Sequence, residues 1–215
     1  MSKLDDGSDF PWDRSAWFDV KFKLGMQIPN LPYVIDNTND VKISETFAVM
    51  KYIGRKNQKL LPTSNKSFAL AENLEGKLAD FRMGFIKICY MGADRHAWMN
   101  KNAIPFLEVF EGLLENKESG WFLPGEKSPT YIDCYAWEII DHHCLLKPLF
   151  LDSFPKLKAW KLRFSELKEI RSYHESDKFE QYPINNKMAT WGGQHENDGI
   201  MLVVGGKRGT FEAKI

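Results

Sequence analysis

Leu74, Leu78, Phe81, Phe85 and Ile88 recur at intervals of four and three residues. A helix gathers that spacing into one apolar stripe, and a strand, with its period of two, scatters it over both faces. The pattern predicts a helix over residues 67–90 that packs lengthwise on others, so the middle of the chain has to be a helical bundle. Ile104, Leu107, Phe110 and Leu114 predict a second helix over residues 103–115, and the Gly-Trp-Phe-Leu-Pro-Gly run at 120–125 reads as the loop that closes this pair. Thr130-Tyr131-Ile132-Asp133 is a capping box, in which a hydroxyl and a carboxylate satisfy first-turn N–H groups. Apolar residues then fall on nearly every side (Ile132, Cys134, Trp137, Ile139, Ile140), which predicts a buried central helix. A last amphipathic helix opens at Asp152-Ser153-Phe154-Pro155 and carries Leu157, Trp160, Phe164 and Leu167.

The first sixty residues read differently. Ser15 can cap a short helix over 15–22, in which Trp17 and Lys21, four apart, share a face. In Pro29-Asn30-Leu31-Pro32-Tyr33-Val34-Ile35-Asp36 two prolines precede a β-prone run, so Pro32 stands at the mouth of a strand where no ladder donor is needed. The Leu31-Pro32 bond lies at a tight bend of the kind that keeps a cis isomer, and such a bend offers its backbone to a peptide-like ligand. Strands over 31–35 and 41–43, joined by Asn37-Thr38-Asn39-Asp40, predict an antiparallel hairpin. A helix over 44–56 follows, with Ser44 as its expected cap, Glu45 in its first turn and Arg55 and Lys56 at its basic end. Leu61-Pro62-Thr63-Ser64-Asn65 has linker composition. The fold class is α+β: a small α/β domain over 1–62, an all-helical domain over 63–193 and an extension over 194–215.

Charge narrows the function. Lys and Arg number 29 and Asp and Glu 29, which leaves no net field to hold a polyanion, and nucleic acid is set aside as a partner. Cys89, Cys134 and Cys144 are odd in number and widely spaced; with no signal-peptide pattern they read as reduced core thiols of an intracellular protein, cytoplasmic or mitochondrial. No apolar run approaches the ~20 residues of a membrane span. Asp141-His142-His143-Cys144 spells a palmitoyl-transferase signature without the cysteine-rich zinc scaffold that chemistry requires, and adjacent helical histidines point about 100° apart. No metal or required cofactor is expected.

With these residues in place, the chain resembles the mu-class glutathione transferases. The resemblance rests on Asp13-Arg14-Ser15-x-Trp17, Lys21-Phe22-Lys23-Leu24-Gly25, the Pro29–Asp36 stretch, Tyr52-Ile53-x-Arg55-Lys56, Asp80-x-Arg82-Met83, Cys89-Tyr90, Trp121-Phe122 and Asp152-x-Phe154-Pro155-x-Leu157, in family order. It implies a thioredoxin-like first domain, a helical second domain, a homodimer and conjugation of glutathione to electrophiles. It further implies that Trp17 and Lys21 hold the glycyl carboxylate of glutathione with Asn30 nearby, and that Leu31, before Pro32, offers its backbone to the cysteinyl part. Glu45 and Thr46 stand where the family has Gln and Ser at the γ-glutamyl carboxylate. Asp80 matches the acid that reaches the α-ammonium from a neighbouring subunit, and Arg82, Ile86 and Tyr90, at i, i+4 and i+8, match one wall of the second-substrate pocket.

The start of the chain departs from that pattern. The family opens with a strand whose tyrosine hydroxyl stabilises the glutathione thiolate, then a helix and a second strand. Residues 1–10 are too short and too acidic for such a βαβ opening, which takes about 30 residues. The expectation is a truncated domain with no catalytic residue, inactive as an enzyme and serving as an accessory subunit of a larger protein assembly; the alternative is an active transferase. The lost strand would leave the edge of 33–35 open. Residues 200–204 and 210–213, around Gly205-Gly206-Lys207-Arg208-Gly209, read as a hairpin able to cover it, and a partner's strand could do the same.

Overall fold

The computed structural model describes residues 15–115, 119–179, 183–186 and 188–193; the expected hairpin over 200–213 lies outside them. The chain divides into two compact units, Met1–Leu61 and Pro62–Ile215.

In the first unit, α1 (Ser15–Lys21) leads to the antiparallel pair β1 (Tyr33–Asp36) and β2 (Val41–Ser44), and then to α2 (Thr46–Lys56). The register sets Tyr33 opposite Ser44 and Asp36 opposite Val41, so Tyr33, Ile35, Lys42 and Ser44 share one face and Val34, Asp36, Val41 and Ile43 the other. Trp17 of α1 stacks on Tyr33 at 5.9 Å, which places α1 on the first face. Tyr52 and Lys56 of α2 reach Asp36 at 2.6 Å each, which places α2 on the second. Asp36 also accepts from the backbone N–H groups of Thr38 and Asn39 and from the Asn39 amide, so one carboxylate shapes the hairpin turn and ties it to α2. The expected hairpin and its flanking helices are therefore present. The cap is not as expected: Glu45, at φ 75°, is the N-cap of α2 and its side chain makes no capping bond, because the Ser44 hydroxyl donates instead to the Ile28 carbonyl at 2.5 Å.

The second unit is built on α3 (Asn65–Met91), capped by Ser64 and closed by Gly92 at φ 67°. After it come a short helix α4 (Arg95–Ala97), a π-helical turn (Trp98–Asn102), and α5 (Ile104–Leu113), α6 (Tyr131–Leu146), α7 (Pro155–Ser165) and α8 (Lys168–His174). Leu78, Phe81, Leu107, Phe110, Ile132, Ile140, Leu157 and Trp160 are fully buried between α3, α5, α6 and α7. The capping box of α6 forms as expected, with Asp133 bonded to the Thr130 N–H at 2.9 Å. The same carboxylate, wholly buried, accepts from the Phe122 N–H and the Trp160 indole. It thereby joins the 120–125 loop, α6 and α7 at one point. Leu167 does not extend the last helix; it is the N-cap of α8. The Ser165 hydroxyl donates back to the Lys161 carbonyl, a competition with the helix ladder that suits the break there.

Candidate functional site

The first unit brings several of the expected glutathione residues around its bend. The Leu31-Pro32 bond is cis, and Leu31 is 55 % exposed. Asn30, just ahead of it, donates its amide to Glu45 Oε1 at 2.9 Å. Two residues fifteen apart in sequence are thus held across the mouth of the bend, next to Thr46 at the first turn of α2. The anionic Glu45 carboxylate stands where the free N–H groups of that helix start would attract an anion. A ligand carboxylate and a ligand ammonium therefore meet opposite inducements there. Trp17 lies against Tyr33 on the α1 side, while the Lys21 ammonium rests over the Phe22 and Phe18 rings at 5.3 and 5.9 Å.

In the second unit Asp80, Arg82, Ile86 and Tyr90 all belong to α3. Asp80 and Arg82 are exposed, Ile86 and Tyr90 half-buried. The Tyr90 hydroxyl accepts from the Asn186 N–H at 3.2 Å, and among the described residues its own proton meets no acceptor. Burial, the leading cause, raises its pKa, so the phenol is neutral across the physiological range. Around it residues 184–186 and 188–193 lie against the end of α3: the Thr190 N–H and hydroxyl both donate to the Cys89 carbonyl, at 2.7 and 2.9 Å, and Trp191 meets Phe85 edge-on at 5.7 Å.

Sequence reasoning missed three contacts that hold these residues in place. The Asp36–Tyr52–Lys56 cluster could have been found from the i, i+4 pair Tyr52 and Lys56 on the α2 face toward the strand. The Ser44–Ile28 bond and the bond from Lys42 Nζ to the Leu24 carbonyl, 3.0 Å, fix the approach to the bend; no local pattern marks them, because each depends on the fold bringing a loop over β2. Among the described residues no group of His, Cys, Asp and Glu could hold a metal ion, and no helix is long and apolar enough to cross a membrane. Cys134 and Cys144 are pushed up to about 12 by burial and are poor nucleophiles.

The chain is similar over most of its length to known glutathione S-transferases. The profile described as "Glutathione S-transferase, C-terminal domain" matches residues 79–177. Glutathione S-transferase Mu 3 of Homo sapiens is 38% identical over 186 residues, covering 84% of this chain and 78% of its own length. Glutathione S-transferase Mu 5 of Mus musculus is 37% identical over 187 residues, with 84% and 79% covered. Among solved structures, the glutathione S-transferase Blo t 8 superposes with a TM-score of 0.69 at 25% identity, covering 84% of each chain. The Pi-class enzyme of Onchocerca volvulus reaches 0.70 at 21%, covering 83% of this chain and 84% of its own, and so speaks for the fold alone. The chain belongs to the mu-class glutathione S-transferase family.

Proposed function

We propose that this chain keeps a glutathione-shaped bend but does not activate the thiol, and that it serves as an accessory subunit of an intracellular protein assembly. One observation carries the reading: the tyrosines among the described residues of the first unit are Tyr33, whose ring is stacked on Trp17, and Tyr52, whose hydroxyl donates to Asp36. A free thiol with a pKa of about 8.5 is only a few per cent thiolate at neutral pH, so without a hydroxyl aimed at the sulfur the main chemical contribution of such a site is gone. In this reading Trp17, Lys21 and Asn30 face the glycyl carboxylate, and Leu31 and Pro32 present backbone to the cysteinyl part. Thr46 takes the γ-glutamyl carboxylate and Glu45 its α-ammonium; Asp80 supports that ammonium from a second copy where a homodimer forms. The purified chain, assayed for conjugation of glutathione to an aryl halide, is expected to show no turnover above the uncatalysed rate; enzyme-like turnover overturns the reading.

A second reading, a working transferase, is favoured by the relatives, which are themselves named as transferases. There the free proton of Tyr90 would meet the electrophile on the wall formed with Arg82 and Ile86. Turnover that is present in the chain and falls at least tenfold in Tyr90→Phe selects this reading.

A further inference from the structure

The loop that enters α6 carries the one serine or threonine of the 215 residues that is followed by proline, Ser128-Pro129. Ser128 is exposed, as is Lys127 before it. The hydroxyls of Ser44, Ser64, Ser67, Ser165 and Ser176 are each taken by a hydrogen bond inside the fold. Among the described residues the Ser128 hydroxyl has no such partner, and no backbone–backbone bond involves residues 125–129. The two ends of the stretch are fixed. Ser67 donates to the Pro124 carbonyl at 2.9 Å, and Thr63 donates its N–H and its hydroxyl to the buried Glu126 at 2.8 and 3.0 Å, which ties the entry to the start of α3. Thr130 and Asp133 tie the exit to α6 through the capping box. Gly125, at φ 78°, turns the chain with open space where a Cβ would stand, and Pro129 holds the residue before it to an extended backbone. Ser128 is thus an extended, solvent-facing hydroxyl on a bridge that can be gripped without breaking a bond of the fold.

We propose that Ser128 is a phosphorylation site for a proline-directed protein kinase that uses ATP. An enzyme of this kind takes its acceptor segment extended and reads the missing N–H of the residue that follows. In the transfer the Ser128 Oγ–H bond breaks and its proton passes to the kinase's catalytic aspartate. Oγ bonds to the γ-phosphorus of ATP, the bond from that phosphorus to the β,γ-bridging oxygen breaks, and ADP leaves. The product carries a charge of about −1.5 to −2 at neutral pH. On a chain whose 29 basic and 29 acidic side chains balance, one such event gives the molecule a net negative charge. The inference goes beyond the accessory-subunit reading and stands whether or not the chain conjugates glutathione.

The test incubates the full folded chain with a purified proline-directed kinase, magnesium and ATP, and reads incorporation by intact mass and the modified residue by fragmentation. One phosphoryl group per chain, on Ser128, is the expected result. Ser128→Ala and Pro129→Ala are each expected to abolish it, and Ser128→Thr to keep it. A site that had to open locally would be labelled more slowly by the opening equilibrium, so the folded chain is expected to react within about tenfold of a free peptide of residues 122–134. A serine-proline pair is also an ordinary way into a helix, and four outcomes would leave it as that and overturn the proposal. They are no incorporation, incorporation at another residue, equal labelling of Pro129→Ala, and labelling only after the chain is unfolded in urea. The readout involves no thiol chemistry, so turnover in the aryl-halide assay overturns the functional reading alone, and an inactive chain that the kinase ignores overturns this inference alone.

Discussion

His143 has room for one protonation state. Its ring is wholly buried, stacked on Phe81 at 4.0 Å and on Phe150 at 5.5 Å. Nδ1 bonds to the Ile139 carbonyl, so it carries the proton, and Nε2 accepts from the Trp98 indole at 3.1 Å. Burial depresses its pKa from 6.5 to about 3. A depressed histidine binds its proton in the unfolded chain first, so its contribution is fully present above pH 6.5 and is lost as the pH falls toward 3. The expected slope is about 1.4 kcal/mol per pH unit in that interval. Urea unfolding at pH 7 and pH 5 checks it: His143→Phe should flatten the dependence, and an equal slope in both proteins would show that other groups dominate. Asp133→Ala removes the carboxylate that the buried Phe122 N–H and Trp160 indole donate to and is expected to cost at least about 3 kcal/mol, read in the same measurement. The Thr-x-x-Asp capping box was plain in the sequence, but the role of the same carboxylate toward the loop and α7 was not, since those donors lie 11 and 27 residues away.

At the scale of elements, the helices with a long apolar period and a capping residue were legible, and those made by tertiary contact were not. Nothing in Arg95-His96-Ala97-Trp98 announces a helix followed by a π-helical turn. The turn fits a place where Trp98 packs into the notch of Gly84 on α3, where an added Cβ would lie 1.9 Å from the indole. Gly84→Ala is therefore expected to destabilise the second unit by about 2–3 kcal/mol despite its better helix propensity, as a fall in thermal midpoint. Similarly, α7 has Pro155 at its start but no capping side chain of its own. Glu111 of α5 supplies the acceptors, one oxygen to the Lys156 N–H at 2.9 Å and the other to the Leu157 N–H at 2.7 Å. Glu111→Ala should cost about 1–2 kcal/mol, and Glu111→Gln less, because an amide still accepts one of the two bonds.

At the scale of the molecule the two units differ in kind. Val49 is the one apolar side chain of the first unit that is buried among the described residues, while the second holds a continuous aromatic and aliphatic core. Phe22, Ile28 and Ile53 of the first unit stand exposed. Hydrogen exchange should therefore open α2 at a free energy well below that of α6, and matched protection in the two helices would contradict this. The sequence showed the division in its change of period near residue 62; how little of the first unit is covered depends on solid geometry that a one-dimensional pattern does not hold. The clasp at the end of α3 bears on the order in which the molecule can be made. Cys89 and Tyr90 receive Thr190 and Asn186 from about a hundred residues downstream, so that corner of the bundle, with its tyrosine, has to wait for residue 191 to leave the ribosome.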